Sequence, residues 1–215
     1  IKNFFFASSS SVYGDMTSEQ NENKFGNIKS YYALTKVINE NIAKNYSNFY
    51  TATNFIGLRF FTVYGPFGRP DMAVYGMTNS IYSNHSITLF NKGLNSRDYT
   101  YIDDLVEILF SLYRLRKKIK NNYEIFNMGF GKNYKTIEML NSLESIIGIK
   151  AKVKFGINPL DVIKTKSHFK KLNSFINTSG IKISNTPLDL GLLKFINWYK
   201  HYHNILKSIV IYLSI

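Results

Sequence analysis

Cysteine is absent from this 215-residue sequence, and proline is scarce. Without cysteine, the chain has no disulfide scaffold, no thiolate zinc site and no cysteine nucleophile. No apolar run approaches the roughly 18 residues of a membrane helix, and the longest candidate is the short segment 209–215. No charged-then-apolar secretory leader is visible, so we expect a cytoplasmic location and no membrane partner.

Acidic residues are also few, which leaves a large basic excess. With 27 Lys and Arg against 14 Asp and Glu, the net charge is +13. A nucleic-acid-binding protein would concentrate such charge on one surface. Here the basic residues are dispersed, and the densest cluster is 114–120. A compositional bias with a modest preference for anionic metabolites explains the charge, and a basic nucleic-acid-binding protein is the unfavoured alternative of a different class.

Short apolar segments alternate with amphipathic segments along the chain. They predict strands at 2–7, 54–63, 86–90, 124–128 and 151–155. They predict helices at 30–46, 72–83, 105–115, 136–147, 162–175 and 188–202, with Asp103 or Asp104 as N-cap of the third. This alternation predicts an α/β fold with a parallel sheet and a smaller, interleaved lobe.

Tyr32 and Lys36 form a Tyr-x-x-x-Lys motif in the predicted helix 30–46. Side chains four residues apart share a helix face, with Cβ atoms about 5–6 Å apart. A free tyrosine phenol has a pKa of about 10, and a neighbouring ammonium favours the phenolate that acts as a base. Because the chain has 16 tyrosines, the motif alone does not separate a catalytic pair from a chance pair.

A run of four serines, from Ser8 to Ser11, follows the predicted strand at 2–7. Doubly wound sheets bind ligands beside the carboxyl ends of their strands. Hydroxyl groups at this position are therefore candidates for ligand contacts, whereas an ordinary serine-rich turn has the same composition. The serines alone leave both interpretations open.

Together, the serine run, the following Val12-Tyr13-Gly14 and the Tyr-x-x-x-Lys motif resemble the extended short-chain dehydrogenase/reductase family of NAD-dependent epimerases and dehydratases. The segment 58–73 (LRFFTVYGPFGRPDMA) is similar to the signature of UDP-glucuronate 4-epimerases within it. Further resemblances follow in order at 97–104 (RDYTYIDD), 126–129 (FNMG), 158–162 (NPLDV) and 198–199 (WY). The resemblance covers nearly the whole chain.

The resemblance implies NAD as cofactor, a UDP-sugar as substrate and no metal. Catalysis is assigned to Tyr32 as the proton-transferring residue, to Lys36 on the nicotinamide ribose and to Ser9 on the sugar O4. The implied cofactor contacts are Ser8, Tyr32, Lys36 and Phe61. The implied substrate contacts are Ser9, Ser10, Thr62, Arg69, Arg97 and Asp161. The resemblance leaves open whether the protein forms a homodimer.

The implied reaction is transient oxidation at C4 of the sugar, which interconverts UDP-glucuronate and UDP-galacturonate. Ser10 and Ser11 stand where related dehydratases and decarboxylases have acidic residues, which favours simple epimerisation. The planar guanidinium of Arg69 suits a glucuronate carboxylate, with the Thr62 hydroxyl as a second donor. The close alternative is another UDP-hexose 4-epimerase, acting on UDP-glucose or UDP-N-acetylglucosamine.

The sequence departs from the family at its start. The glycine-rich turn that binds the NAD pyrophosphate is absent, and Ile1 opens directly on a predicted strand. We therefore expect the C-terminal part of a longer protein. The expected organisation is the end of a Rossmann-like doubly wound sheet at 1–65, mostly a substrate-binding lobe at 66–203 with a Rossmann strand near 123–129, and an apolar tail at 204–215.

Overall fold

The alternating apolar and amphipathic segments fold into parallel strands and covering helices in a computed structural model that describes residues 1–158 and 163–213. The strands are β1 (Asn3–Ser9), β2 (Asn54–Phe60), β3 (Thr62–Tyr64), β4 (Ser86–Phe90), β5 (Ser96–Tyr101), β6 (Tyr123–Met128), β7 (Asn133–Lys135) and β8 (Lys152–Gly156). The α-helices are α1 (Tyr31–Phe49), α2 (Ala73–Tyr82), α3 (Ile102–Leu115), α4 (Thr136–Ile147), α5 (Lys170–Asn177) and α6 (Leu188–Leu213). Within these described ranges, no helix is long and apolar enough to cross a membrane.

The first sheet has the strand order β1-β2-β6, with parallel neighbours throughout. Ile56 and Leu58 of β2 are buried in a cluster with apolar residues of α3 and α5. Arg59 instead contacts Glu40 of α1 on the opposite face. Helices therefore cover both faces of the sheet, as a buried parallel sheet requires.

The carboxyl ends of these strands lie side by side. Ser9 of β1 pairs with Phe60 of β2, which pairs with Met128 of β6. After Phe60 the chain leaves the sheet, and the Phe61 N–H donates to the Met128 carbonyl at 3.3 Å. The predicted strand 54–63 is therefore wrong at its end, because Thr62–Tyr64 forms β3 in a second sheet.

A second α/β lobe contains the sheets β3-β5-β7 and β4-β8. Its apolar core joins these strands to α2, α4 and α6, with Leu89, Met139 and Leu192 almost completely buried. Helix α4 confirms the predicted bounds 136–147, and it ends because Gly148 adopts the left-handed conformation at φ 79°. The polar strands β5 and β7 have no strong sequence signal, because neither alternates apolar and polar residues clearly.

Two sequence predictions, at the starts of α3 and α5, are wrong. Neither Asp103 nor Asp104 is the N-cap of α3, because the helix follows β5 directly from Tyr101. Asp104 instead accepts hydrogen bonds from the Thr186 amide at 2.7 Å and hydroxyl at 2.8 Å. The predicted helix 162–175 begins only at Lys170, because residues before it bond to β5 through the backbone of Ser96.

Strand β1 stands at the end of its sheet's strand order, with apolar surface on both faces. On the α1 side lies a groove lined mainly by Phe4, Phe6, Ile42, Tyr46 and Phe55. On the α3 side, the Phe5 ring contacts Tyr113 at 6.4 Å between centroids. Much of this surface is open to solvent, including half of Ile42 and half of Tyr113.

Candidate functional site

The serine run forms a tight turn at the carboxyl end of β1. Ser9 caps the short 3-10 helix Ser10–Tyr13, and its Oγ accepts a hydrogen bond from the Ser11 amide at 3.1 Å. The Ser8 hydroxyl donates to Glu40 in the protein interior. Ser8 and Ser9 are buried, whereas Ser10 is half-buried. The turn thus places Ser9 and Ser10 at the edge where parallel strands end.

Helix α1 carries Tyr32 and Lys36 to the same edge. The helix begins after Ser30, whose hydroxyl oxygen accepts from the Ala33 amide at 3.1 Å. The Lys36 ammonium lies 5.5 Å from the centre of the Tyr32 ring. It also donates to the Ala7 carbonyl at 3.0 Å, two residues before Ser9. The structure therefore brings the Tyr-x-x-x-Lys motif to the serine turn.

Thr62 and Arg69 line one small cleft on the lobe, together with Tyr75 and Tyr99. The Arg69 side chain is 73% exposed and makes a two-point contact with Asp71, with Nε–Oδ1 at 3.0 Å and Nη2–Oδ2 at 2.5 Å. This hydrogen bond raises the pKa of Arg69 and lowers that of Asp71.

The electrostatics of Arg69 also connect it to the catalytic candidates. The Tyr32 phenol contributes to the raised pKa of Arg69, after the larger effect of Asp71. Tyr32 and Arg69 are both exposed side chains, and they interact electrostatically.

The remaining predicted ligand contacts are Arg97, Phe61 and Asp161. Arg97 of β5 is half-buried, and its Nη1 donates to the Ser96 carbonyl at 3.0 Å. The Phe61 ring is buried against Tyr13, with 6.1 Å between centroids. Asp161 lies outside the described residues. The ligand contacts assigned to these residues stay predictions.

Beside Arg97, the fully buried Asp98 anchors two loops. Its Oδ2 accepts backbone hydrogen bonds from Gly131 at 2.8 Å and Ser167 at 2.9 Å. Burial raises the pKa of this carboxyl, and the bonds from Ser167 and Gly131 oppose that rise. Asp98 is therefore an interior anchor for the segment that carries Arg97, and not a surface ion-pair partner.

A buried ion pair beneath the serine turn was not predicted from the sequence. The Arg59 guanidinium binds both carboxylate oxygens of Glu40, each at 2.8 Å, and each side chain is only 1% exposed. The available signals were an arginine inside an apolar strand and a glutamate four residues after Lys36. Neither signal distinguishes a buried pair from two solvated charges.

Two glycines allow the serine turn to pack against the loop that precedes α1. A Cβ on Gly26 would lie 1.7 Å from the Tyr13 carbonyl oxygen, and one on Gly14 would lie 1.8 Å from the Asn27 oxygen. Gly14 also has a φ of 52°. The Gly26 amide donates to the Val12 carbonyl at 3.0 Å. The two backbones touch directly, without intervening side chains.

We expect Gly26→Ala to lower the free energy of unfolding by about 1–3 kcal/mol or more, because an added methyl meets backbone that cannot rotate away. The matched control is Gly76→Ala in α2, where the nearest heavy atom to a new Cβ is 3.9 Å away. Alanine there should stabilise the helix by roughly 0.5–1 kcal/mol. Urea denaturation of both variants measures the difference, and equal stabilities would contradict the close backbone contact.

Comparison with known proteins places these features in a family context. A family model described as NAD dependent epimerase/dehydratase family matches residues 1–129. The chain is similar to Protein CapI of Staphylococcus aureus, with 34% identity over 94% of this chain and 64% of that protein. It is similar to the UDP-glucuronate 4-epimerase of Thermodesulfobacterium geofontis, with 34% identity over 97% of this chain and 62% of that protein. The chain thus spans less than two thirds of these relatives' length.

Solved structures share the fold. The UDP-glucuronic acid 4-epimerase from Bacillus cereus, in complex with UDP-glucuronic acid and NAD, has a TM-score of 0.82 at 28% identity, covering 93% of this chain and 62% of that chain. MoeE5, in complex with the same two ligands, has a TM-score of 0.82 at 26% identity, covering 94% and 66%. These similarities confirm the predicted Rossmann-like α/β fold class.

Proposed function

The chain belongs to the NAD dependent epimerase/dehydratase family, and we propose that it forms the catalytic and sugar-binding part of a UDP-sugar 4-epimerase acting on UDP-glucuronate. The observation that carries this proposal is the Lys36–Ala7 hydrogen bond of 3.0 Å. It brings the Tyr-x-x-x-Lys motif to the carboxyl end of β1, where Ser9 supplies a hydroxyl. The relatives that are named UDP-glucuronate 4-epimerases support the same assignment.

Each catalytic candidate has a distinct role in this proposal. Tyr32 takes the proton from the sugar 4-hydroxyl and later returns it, because its phenol is exposed at the ligand edge. The Lys36 ammonium lies 5.5 Å from the centre of the Tyr32 ring and places a positive charge beside the reacting hydroxyl. Ser9 donates a hydrogen bond to the sugar O4 and orients it for proton transfer.

The residues present fit the nicotinamide end of NAD. NAD, when bound, supplies the hydride acceptor and donor for C4 of the sugar. Lys36 is fixed at the strand end with ammonium hydrogens left for ribose hydroxyls, since one hydrogen bond goes to Ala7. The chain's own contribution to the pyrophosphate end is not evident, because its sequence contains no G-x-x-G-x-x-G turn.

Arg69 and Thr62 are the residues that we assign to the sugar's C6 group. Both line the cleft between β3 and α2, and a guanidinium can bind a carboxylate with two parallel hydrogen bonds. The Asp71 contact is exposed, so solvent and a competing carboxylate can displace it readily. The same contact supports the second candidate, a neutral-sugar 4-epimerase, because it already neutralises Arg69.

The test uses the longest natural polypeptide that contains this sequence, incubated with NAD and UDP-glucuronate. Chromatography should detect UDP-galacturonate approaching equilibrium, and parallel reactions with UDP-glucose and UDP-N-acetylglucosamine should be slower. Faster use of a neutral sugar would favour the second candidate. If the polypeptide epimerises none of the three sugars, the proposed function is refuted.

We expect the 215-residue chain alone to bind NAD weakly, without saturation at micromolar concentrations. The reason is that no glycine-rich turn supplies backbone N–H groups and a helix N-terminus to the pyrophosphate. Calorimetric titration of the isolated chain measures this, with the longer polypeptide as control. Low-micromolar affinity of the isolated chain would contradict the expectation.

A further inference from the structure

The Glu40–Arg59 pair is bonded to the serine turn. Besides its two contacts with Arg59, the Glu40 carboxylate accepts a hydrogen bond from the Ser8 hydroxyl. Ser8 lies between Ala7, which receives the Lys36 hydrogen bond, and Ser9. One buried carboxylate thus joins α1, β1 and β2 directly beneath the candidate catalytic groups.

The rest of the guanidinium is also in contact with the site's supporting segments. Nη1 of Arg59 donates to the Lys24 carbonyl at 3.0 Å. The guanidinium carbon lies 4.9 Å from the centre of the Tyr13 ring and 4.6 Å from that of Phe25. The pair therefore also fixes the 3-10 turn and the loop that precedes α1.

The charge state of the pair follows from these contacts. Burial acts to lower the pKa of Arg59, but the hydrogen bond and charge of Glu40 raise it above its ordinary value. The guanidinium is therefore charged throughout the physiological range. A buried pair of this kind is a poor source of net stability, since apolar residues of similar volume often replace such pairs without loss.

Helix spacing puts Glu40 in line with the catalytic candidates. It lies one helical turn after Lys36 and two turns after Tyr32, so all three share one side of α1. Any rotation or slide of α1 relative to β1 must break the contacts of Glu40 with Ser8 and Arg59. The same movement would shift Lys36 away from the Ala7 carbonyl.

We infer that Glu40 and Arg59 are positioning residues that fix the register of α1 on β1, and so align Tyr32 and Lys36 with Ser9. This inference rests on the proposed function. Ser8 was predicted as a cofactor contact. The inference instead gives its hydroxyl the role of connecting the serine turn to the ion pair. A misplacement of about 1 Å in a catalytic group can lower a rate about 100-fold, so a fixed register has a direct catalytic value.

The decisive variant is Ser8→Ala/Glu40→Leu/Arg59→Met, which removes the polar network without leaving an unpaired buried charge. Ser8→Ala alone is the milder variant, because it removes one hydrogen bond and leaves the ion pair intact. The matched control is Glu144→Gln/Lys150→Met, which removes a 2.6 Å ion pair between α4 and the segment before β8 in the other lobe. All are made in the longest natural polypeptide.

Two measurements separate positioning from general stability. In the epimerase assay, the triple variant should lose about 10- to 100-fold in kcat with little change in KM, because the pair is buried away from the sugar. Ser8→Ala should show the same pattern with a smaller loss. Hydrogen exchange should rise in 7–14, in the loop around Lys24 and Phe25 and in 31–40, and it should stay unchanged in the other lobe. The control variant should change neither kcat nor exchange in these segments.

These measurements distinguish a positioning role of the ion pair from a role in general stability. Wild-type kcat in a folded triple variant, or in Ser8→Ala if the triple variant does not fold, overturns the inference. A rise in exchange across the whole protein also overturns it, because the pair would then be a general stabiliser. If the wild-type protein does not epimerise, the proposed function fails, and the location of the exchange change still decides whether the pair fixes the register.

Discussion

Tyr32→Phe is expected to lower the rate of 4-epimerisation by about 10²- to 10⁴-fold, the usual contribution of a general acid–base group. The substitution keeps the ring over which the Lys36 ammonium lies and removes only the hydroxyl that exchanges the proton. Binding of the UDP-sugar should therefore persist. Turnover gives the rate, and calorimetric titration with the UDP-sugar gives the affinity.

The neighbouring Tyr31 provides a matched control on the same helix. Its side chain is 89% exposed, so Tyr31→Phe makes the same chemical change where no proton transfer is assigned. Tyr31→Phe should retain wild-type turnover. If Tyr32→Phe also keeps turnover within a few-fold of wild type, another residue is the base. Lys36→Met should lower the rate as well, because Tyr32 loses its cationic neighbour and α1 loses its hydrogen bond to Ala7.

Arg69→Ala is expected to lower kcat/KM for UDP-glucuronate by about 10- to 150-fold, the effect of losing a charge-assisted hydrogen bond. The loss for UDP-glucose should be much smaller, because a hydroxymethyl group gains little from a guanidinium. The value of kcat/KM is measured for UDP-glucuronate and for UDP-glucose, in the wild-type protein and in Arg69→Ala. The ratio of the two losses measures how far Arg69 selects the acid sugar.

Asp71 adds a second, opposite test of the same assignment. It holds the Arg69 guanidinium in the present structure, so Asp71→Asn should free the guanidinium and raise kcat/KM for UDP-glucuronate. Arg114→Ala on α3 serves as the control for removing a positive charge far from the cleft. Equal losses of kcat/KM for the two sugars in Arg69→Ala would assign Arg69 to the diphosphate or to the scaffold.

Much of the main sheet could be predicted, because its elements have strong local signals. The apolar strands β2 and β6 are mostly buried, and β1 has the same apolar composition although part of its surface is open to solvent. In the other lobe, Gly148 ends α4 as its position in the sequence predicts. The carboxyl-end rule for parallel sheets predicted the position of the serine turn, and the family resemblance implied its association with the Tyr-x-x-x-Lys motif. That association is the part of the site in which sequence and geometry agree best.

Other features depend on contacts between distant segments and have no local signal. Asp104 bonds to Thr186 across 82 positions, so its carboxylate resembles a helix cap in the sequence and acts as a tertiary link in the fold. The segment before Lys170 looked helical, but its backbone bonds to β5. The Glu40–Arg59 pair was missed for the same reason, since neither residue alone indicates its partner.

The apolar surface around β1 is open to solvent in this 215-residue chain. A parallel strand is normally buried in the interior of a sheet, and an uncovered hydrophobic edge strand is a site for pairing with other chains. Any polypeptide that covers β1 therefore stabilises it by mass action. Because β1 ends in Ser8 and Ser9, whatever covers β1 also supports the serine turn.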